Sequence, residues 1–396
     1  MEHYKKIKLK PKKEQSLKRF HPWVFSGAIA SLADNLMEGD VVEVYAHDNT
    51  FLGIGHYQIG SIAVRILSFH KRAIDTEFFV ERLIDAYQMR CALQLVRNEN
   101  NTYRLVHGEG DMLAGLIIDI YGGLAVVQAH SVGMHMSKEV IAVALKRVLG
   151  ESLQHIYYKS EGTLPFKAPI NVEDAFLFGG ADLEKITIEN NLKFRVDWEK
   201  GQKTGFFVDQ RDNRSLLESY SHGRNVLNMF CYTGGFSMYA LRGGANSVMG
   251  VDSSAKAMML ANENIQLNFG DEPRYNSSSE DAFKFLRNIQ KDEYDLIVLD
   301  PPAFAKHRGA VRNALQGYKK LNLAAFEKIV SGGIVFTFSC SQVITREQFR
   351  LAVFSAAAIS GRKVKILDQL SQPADHPVNI YHPEGEYLKG LVLHVS

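Results

Sequence analysis

The sequence predicts an α/β protein whose C-terminal part is a doubly wound, parallel sheet, preceded by a small N-terminal β-barrel and a central α+β domain. Three observations support this fold class. The chain has 396 residues, of which 46% are hydrophobic and 23% charged, enough for two or three domains with their own cores. Short strands rich in β-branched residues come first. From about residue 225 onward, strands alternate with helices, which is typical of a parallel sheet with helices on both faces.

Residues 1–72 have the pattern of a small β-barrel. Residues 7–9 alternate between apolar and polar side chains, and residues 40–45 are mostly β-branched or aromatic. Residues 51–57 form a further predicted strand, shortly after the turn residues Asp48 and Asn49. A small barrel fits these short strands best.

Residues 73–190 are predicted to form a central α+β domain. The domain begins with an amphipathic helix over residues 76–96, in which apolar side chains recur every four residues. A hairpin, a second helix and further strands then give the order β-β-α-β-β; they cover residues 113–120, 124–129, 138–149 and 186–198.

Residues 191–396 are predicted to form the doubly wound domain. Its predicted strands cover residues 225–230, 247–251, 295–299 and 333–338, and its first predicted helices cover residues 236–242 and 255–268. In open α/β sheets, ligands bind outside the carboxyl ends of the strands. We therefore expect the functional residues at those ends.

Composition excludes several classes of protein. No apolar run reaches the roughly 18 residues of a membrane span, and residues 1–20 lack the apolar stretch of a secretory signal. The sequence therefore predicts a cytoplasmic protein without membrane contact. The three cysteines are far apart, which fits neither a disulfide framework nor a metal site. Any special cysteine is then a single reactive thiol, and no metal is expected.

Basic residues are clustered although the formal net charge is only +2. Residues 1–20 contain eight Lys or Arg and two Glu, and residues 301–326 contain five Lys or Arg and no acid. Such patches are the footprint of polyanion binding, although runs of solvated surface charge look the same in sequence.

A glycine turn follows the first strand of the C-terminal domain. Gly234 and Gly235 allow a ligand to approach the backbone, and the helix after them offers free N–H groups. The second strand ends at Asp252, where an acid accepts hydrogen bonds from both ribose hydroxyls in nucleotide-binding folds. The turn lacks the GxGxxG spacing that a pyrophosphate requires. This combination favours S-adenosylmethionine over a dinucleotide.

These features resemble the class I S-adenosylmethionine-dependent methyltransferases. The resemblance implies a Rossmann-like sheet, Asp281 as an adenine-contacting acid, and a fourth-strand motif, here Asp300-Pro301-Pro302. The two prolines fix φ and hold the Asp300 carboxyl group rigidly at the mouth of the sheet. Asn228 departs from the pattern, because many class I enzymes have an acid at that position.

Cys340 follows the next strand, between two serines. Carbon 5 of a pyrimidine is not nucleophilic enough to take a methyl group directly, whereas addition of a thiolate to carbon 6 activates it. Cys340 is therefore the candidate nucleophile. Cys231 lies in the cofactor loop and is expected to face the methyl donor, and Cys91 is expected to be a buried apolar residue of the first long helix.

Nearly the whole chain resembles the bacterial family of 5-methylcytosine methyltransferases of large-subunit ribosomal RNA. The resemblance rests on residues 201–214, on Ser339-Cys340-Ser341, and on residues 374–378 and 383–390. It implies a PUA-like RNA-binding barrel, a central β-β-α-β-β domain and a catalytic domain with Cys340 as the nucleophile. From the residues themselves, we expect Lys5 to Arg19 to contact phosphates and Asp300 to be catalytic together with Cys340. Ala303 stands where many RNA cytosine methyltransferases have a second cysteine. The expected cofactor-binding residues are Gln210, Arg211, Asn228, Phe230, Thr233, Gly234, Asp252, Asp281 and Asp300.

Four alternatives stay open at this point. The product can be 5-methyluridine, with the same nucleophile, or a base methylated on its exocyclic amine, which needs no thiol. The chain can also be a non-catalytic, ribosome-associated RNA-binding protein. A homodimer is a further possibility. The base that removes the carbon 5 proton is not identified.

Overall fold

A computed structural model describes residues 4–165, 170 and 172–396. Two compact units make up this part of the chain. The first contains Met1–Asn191, Val196–Val208 and Ala374–Gly385, and the second contains Leu192–Arg195, Asp209–Pro373 and Glu386–Ser396. The predicted boundaries at residues 72 and 190 stay predictions. Among the described residues, no helix has the length and apolar character needed to cross a membrane.

The first unit begins with a six-stranded sheet. Its strands are β1 Lys5–Leu9, β2 Trp23–Phe25, β3 Ile29–Ser31, β4 Val41–Tyr45, β5 Phe51–Tyr57 and β6 Ile62–Ser68, with a short helix α1 Gln15–Lys18. The strand order is β2-β6-β5-β4-β1-β3. Ile7, Val42, Val44, Val64 and Ile66 are completely buried between the strands and form the centre of its core. The alternating pattern of the sequence thus produces one apolar face.

A second sheet of the first unit packs with helices. The elements are α2 Thr76–Ala92, β7 Thr102–His107, β8 Leu116–Tyr121, β9 Leu124–Ala129, α3 Val132–Met136, α4 Lys138–Leu149, β10 His155–Tyr158, β11 Ala175–Phe178 and β12 Ile186–Glu189. The sheet order is β11-β10-β9-β8-β7. Asp75 caps α2, since its side chain accepts a hydrogen bond from the Phe78 N–H at 3.0 Å.

The prediction that Cys91 is buried is wrong, because its side chain is exposed. Residues four apart advance by about 400° around a helix, so a stripe with that spacing drifts by about 40° per step. Cys91 therefore lies about 120° away from the buried Phe79. Arg90 takes the inward position instead, and its buried guanidinium donates to Asp111 and to the Asp375 carbonyl oxygen.

The second unit contains a seven-stranded sheet with the order β16-β15-β14-β17-β18-β20-β19. The strands of this sheet are β14 Asn225–Met229, β15 Ser247–Asp252, β16 Tyr275–Ser279, β17 Leu296–Leu299, β18 Gly333–Ser339, β19 Val364–Leu370 and β20 Lys389–Val395. A further strand of the unit, β13 Leu192–Arg195, lies outside the sheet. Its helices are α5 Arg211–Tyr220, α6 Gly235–Arg242, α7 Ala255–Phe269, α8 Ala282–Asn288, α9 Val311–Lys328 and α10 Arg346–Ser360. Strands β14 to β18 are parallel, and β20 is antiparallel to its neighbours.

The register of the parallel strands aligns their carboxyl ends. Met229 lies opposite both Val251 and Leu299, and Leu299 lies opposite Thr337. β14 lies between β15 and β17, so the order in which successive strands are added to the sheet reverses beside β14. Such sheets bind ligands at this switch point. The residues that follow these strands are therefore brought together at one edge.

Candidate active site

The loop after β14 has an unusual backbone. Phe230 and Tyr232 have φ values of 58° and 48°, and Gly234 has a φ of 81°. Left-handed conformations in residues other than glycine are costly and cluster at ligand-binding loops. Asp252 holds the loop from the neighbouring strand, since its Oδ2 accepts from the Tyr232 N–H at 3.0 Å. Its Oδ1 accepts from the Ser254 N–H at 2.9 Å.

Asn228 and the start of α6 provide polar groups beside this loop. The Asn228 side chain is buried, and its Nδ2 donates to the Ser237 Oγ at 2.9 Å. Within the described part of the chain, its Oδ1 accepts no hydrogen bond. Helix α6 begins after Gly234 without a side-chain cap. The unpaired Asn228 oxygen can accept a hydrogen bond from the ammonium of a methionine group, and the uncapped helix N-terminus can bind its carboxylate.

The far side of the loop is aromatic. The Phe230 and Phe283 rings pack edge to face with their centroids 6.5 Å apart, and Phe283 stacks on Phe304 at 6.4 Å. Asp281 is exposed and caps α8, accepting from the Lys284 N–H at 2.8 Å. Apolar ring faces next to an exposed carboxylate suit an adenine and its amino group.

Thr233, Gln210 and Arg211 are all buried. The Thr233 carbonyl oxygen accepts from the Asn264 Nδ2, which ties the loop to α7. Gln210 reaches the edge of the sheet where the parallel strands end, because its Nε2 donates to the Asp300 Oδ2 at 3.0 Å. The Arg211 Nε lies 3.5 Å from an Asp212 carboxylate oxygen. Their roles towards a cofactor stay predictions.

Asp300 immediately follows β17 at the switch point. Burial raises the pKa of its carboxyl group to about 7, and the negative charge of Asp209 adds to this increase. The hydrogen bond from Gln210 and the positive charge of Arg214 act in the opposite direction. A carboxyl group with such a pKa holds a proton for a large fraction of the time at neutral pH, so it can act as a general acid.

Cys340 immediately follows β18, the strand next to β17. Its thiol donates a weak hydrogen bond to the Pro301 carbonyl oxygen, with the sulfur and oxygen 3.8 Å apart. Burial raises the pKa of the thiol to about 12, and the charges of Asp300 and Asp209 contribute further. The cysteine therefore rests as a thiol beside the Asp-Pro-Pro motif.

Hydroxyl groups fix the backbone around Cys340. The Ser339 Oγ donates to the Tyr318 hydroxyl at 2.9 Å, and that hydroxyl lies 3.0 Å from the Ser341 Oγ. The Ala305 N–H donates to the same Ser341 oxygen at 3.3 Å. The loop after Asp300 and the turn at Cys340 are thus joined through Ser341.

Two charged residues of this site, Asp209 and Lys389, were not predicted from the sequence. The Lys389 Nζ donates to the Ser341 and Ile344 carbonyl oxygens at 2.7 and 2.8 Å. Burial lowers the pKa of Lys389 to about 8, and its positive charge in turn lowers the pKa of Cys340. Asp209 accepts a hydrogen bond from the Tyr387 hydroxyl at 2.7 Å. Both lie in the motifs at residues 201–214 and 383–390, which is the signal that could have identified them.

Cys231, the competing thiol, lies in an apolar environment. It packs with Met258 and Ala261, and its sulfur is 3.5 Å from that of Met258. Burial raises the pKa of this thiol far above its ordinary value. A buried thiol against methionine and alanine is a packing residue and not a nucleophile.

The first unit carries basic and aromatic side chains on its surface. Lys5 pairs with Asp40 at 2.8 Å and the exposed Lys18 pairs with Glu14 at 3.6 Å, whereas Lys6, Lys10, Lys12, Lys13 and Arg19 are exposed. The exposed rings of Phe20 and Tyr381 are next to each other, with centroids 5.3 Å apart. Phe20 has a φ of 62°. Cations bind phosphates, and exposed ring faces stack on bases. A surface that binds single-stranded RNA contains both kinds of side chain.

One cluster in the first unit has the composition of a metal site. One ligand atom each from His21, His382 and Glu384 lie within 4.8 Å of one another. However, the His21 Nδ1 accepts from the Trp23 N–H at 3.2 Å, which leaves the proton on the other nitrogen, 3.5 Å from Glu384. A protonated nitrogen cannot bind a metal, so this arrangement fits a hydrogen bond from the His21 Nε2 to Glu384 better.

Comparisons with known proteins agree with this site. Residues 172–383 match the S-adenosylmethionine-dependent methyltransferase family model, and residues 7–69 match the PUA-like domain model. Both matches confirm the predicted fold class. A relative from Aeromonas hydrophila, "Ribosomal RNA large subunit methyltransferase I", is 40% identical over 387 residues, covering 96% of this chain and 97% of its own. A relative of the same name from Shewanella amazonensis is 40% identical and covers 98% and 99%.

A solved structure has the same architecture. The crystal structure of SMU.776 complexed with SAH superimposes with a TM-score of 0.84 at 25% identity, covering 98% of this chain and 100% of that chain. The cofactor of this chain is S-adenosylmethionine, as predicted. With the family model matched over more than half of the chain and full-length relatives at 40% identity, this chain belongs to the S-adenosylmethionine-dependent methyltransferases of the ribosomal RNA large subunit methyltransferase I family.

Proposed function

We propose that this chain methylates carbon 5 of a cytosine in large-subunit ribosomal RNA through a covalent bond to Cys340. The observation that carries the proposal is the placement of Cys340 and Asp300 after the adjacent strands β18 and β17, with the thiol against the Asp-Pro-Pro backbone. A thiol nucleophile next to a carboxylic acid is the pair that pyrimidine activation requires. A ribosomal RNA substrate also implies that the protein acts in the cytoplasm, where ribosomes assemble.

Each residue of the pair has one role. The target base is taken out of its stack, since its ring carbons cannot be reached within a helix. The Cys340 thiol releases its proton to solvent, and the thiolate adds to carbon 6 while Asp300 donates its proton to nitrogen 3, so that carbon 5 becomes enamine-like. S-adenosylmethionine, when bound, supplies the methyl group. Loss of the carbon 5 proton then releases Cys340. Every residue in this scheme belongs to one chain, so the proposal does not require the homodimer.

The protonation of Asp300 favours cytosine over uridine. Nitrogen 3 of cytosine is an acceptor and needs a donor, whereas nitrogen 3 of uracil carries a hydrogen and needs an acceptor. A carboxyl group whose pKa is raised to about 7 provides that donor. Methylation of an exocyclic amine needs no thiol, and the half-buried Cys340 at the strand end is then unexplained. The intact set of Asp252, Asp300 and Cys340 likewise argues against a non-catalytic role.

Nucleoside analysis tests the product. Large-subunit ribosomal RNA from cells that lack the gene is incubated with the protein and S-adenosylmethionine carrying a deuterated methyl group, and the nucleosides are separated by mass spectrometry. The expected product is labelled 5-methylcytidine. Labelled 5-methyluridine or an N-methylated nucleoside as the main product would contradict the proposal.

RNA binding is assigned to the exposed cations of residues 6–19 and to the Phe20 and Tyr381 rings. The cations supply attraction to phosphates, and the rings supply faces for unpaired bases. Lys5 and Lys18 are left out of this surface, because Asp40 and Glu14 already neutralise them. The surface recognises single-stranded RNA and leaves the chemistry to the second unit.

Replacing Asp252 by alanine should weaken binding of S-adenosylmethionine. We assign both ribose hydroxyls to its carboxylate, and two such charge-assisted hydrogen bonds together contribute about 2–4 kcal/mol. The expected increase in Kd is about 30- to 700-fold, measured by calorimetry. Asp271→Asn, at an exposed site after α7, is the matched control. An Asp252→Ala variant that is folded and binds with unchanged affinity would show that the ribose lies elsewhere.

A further inference from the structure

The reaction requires a base that neither catalytic residue can provide. After methyl transfer, carbon 5 carries a proton that must leave before Cys340 can be released. Asp300 must recover the proton on nitrogen 3 at the same stage, and one carboxylate cannot accept both protons in one step. A second basic group is therefore needed close to Asp300 and Cys340.

Asp209 is linked to both residues by its sequence neighbour Gln210 and by its charge. It immediately precedes Gln210, whose side chain donates to the Asp300 Oδ2 at 3.0 Å. The negative charge of Asp209 acts on the carboxyl group of Asp300 and on the thiol of Cys340. Charge interactions weaken with separation, so Asp209 belongs to the electrostatic surroundings of both groups. Asp209 thus acts on the site of Asp300 and Cys340, although it comes from the turn before α5.

The two oxygens of Asp209 have different environments. The Oδ2 accepts a hydrogen bond from the Tyr387 hydroxyl at 2.7 Å, which orients the carboxylate. The Oδ1 is buried and, among the residues that the structure describes, accepts no hydrogen bond. A buried carboxylate oxygen without a donor is costly unless it serves a function. An oriented carboxylate with one free oxygen is what proton abstraction requires.

We propose that Asp209 is the general base that removes the carbon 5 proton, with Tyr387 positioning its carboxylate. This inference rests on the proposed function of the site. In the step, the proton moves to the Asp209 Oδ1 and the electrons of the C5–H bond form the C5–C6 double bond. The C6–S bond breaks, its electron pair returns to the Cys340 sulfur, and the nitrogen 3 proton returns to Asp300. The proton on Asp209 then passes to the thiolate, which restores the resting thiol.

The test uses Asp209→Asn, which keeps the shape of the side chain and can still accept a hydrogen bond from Tyr387. The variant is mixed with unmodified substrate RNA and S-adenosylmethionine carrying a tritiated methyl group, and protein–RNA adducts are separated on denaturing gels. We expect turnover to fall about 10²- to 10⁴-fold. We also expect a covalent adduct that contains the tritiated methyl group to accumulate, because addition and methyl transfer proceed while release is blocked. Asp271→Asn is the control and should turn over normally without an adduct.

Several outcomes would overturn the assignment. Turnover of Asp209→Asn near that of the wild type would show that another group takes the proton. Loss of turnover without a methylated adduct would place Asp209 at an earlier step or in a structural role. RNA with 5-fluorocytosine distinguishes these two outcomes from failure of the proposed function. Its adduct forms by thiol addition and methyl transfer alone, so no general base is needed to trap it. If the wild type forms no adduct with that RNA, the cysteine mechanism fails and the role of Asp209 fails with it.

Tyr387→Phe gives an independent measurement. The variant removes the hydrogen bond that orients Asp209, so turnover should fall several-fold and a smaller amount of methylated adduct should appear. An unchanged rate in Tyr387→Phe, together with an inactive Asp209→Asn, would exclude Tyr387 as the positioning residue.

Discussion

Replacing Cys340 by alanine is expected to reduce methyl transfer to RNA by about 10⁴-fold or more, because removal of a covalent nucleophile typically abolishes the chemical step. Carbon 5 of cytosine then has no means of activation. The measurement is the initial rate of methyl incorporation at saturating S-adenosylmethionine. Binding of the cofactor should stay the same, since the thiol hydrogen-bonds only to the Pro301 carbonyl oxygen among its described contacts.

The other two cysteines serve as controls for this variant. Cys91→Ala changes an exposed side chain of the first unit and should leave the rate unchanged. Cys231→Ala removes a packing contact with Met258 and should retain chemistry. A Cys340→Ala variant with a rate near that of the wild type would contradict every thiol mechanism and favour methylation of an exocyclic amine.

Replacing Asp300 by asparagine is expected to reduce kcat/KM at pH 7 by about 10²- to 10⁴-fold, the usual contribution of a general acid. The pH profile should also change. In the wild type, the active form has a protonated Asp300, with its pKa of about 7, and an ionised Cys340, with its pKa of about 12. This active form carries one proton fewer than the form in which Asp300 and Cys340 are both protonated.

The sign of the pH dependence follows from these two pKa values. Below pH 7, both groups are protonated, and kcat/KM should rise about tenfold per pH unit as the thiol ionises. Between pH 7 and 12, the loss of protonated Asp300 offsets the gain in thiolate, so the profile should be flat. In Asp300→Asn the acid no longer titrates, so kcat/KM should continue to rise above pH 7 as the thiol ionises. An identical profile in both proteins would remove Asp300 from the acid role.

Much of the fold could be predicted from the sequence because its pattern is local. Residues 138–149 were predicted as a helix and form α4, and residues 247–251 form most of β15. In contrast, β16 has the polar sequence Tyr275–Ser279 and shows no apolar pattern. It lies at the edge of the sheet, where burial does not select apolar residues. The antiparallel direction of β20 also has no local signal.

The site could be predicted where function follows strand ends. Asp252, Asp300 and Cys340 each end or follow a strand, and the parallel sheet brings such positions together. Asp209 and Lys389 come from segments far away in the chain, and only the folded structure brings Lys389 beside Ser341 and the charge of Asp209 into the surroundings of Cys340. The raised pKa of Asp300 also depends on burial and on Asp209, neither of which a sequence pattern reports.

Trapping with 5-fluorocytosine tests the central claim most directly. Fluorine at carbon 5 cannot leave as a proton does, so the methylated adduct cannot release the enzyme. The wild-type protein, incubated with S-adenosylmethionine and RNA in which 5-fluorocytosine replaces cytosine, should form a covalent protein–RNA adduct that survives denaturation. Mass spectrometry of its peptides should place the modified base on Cys340, and the adduct should persist in Cys231→Ala. Absence of an adduct, or its attachment to another residue, would contradict the account.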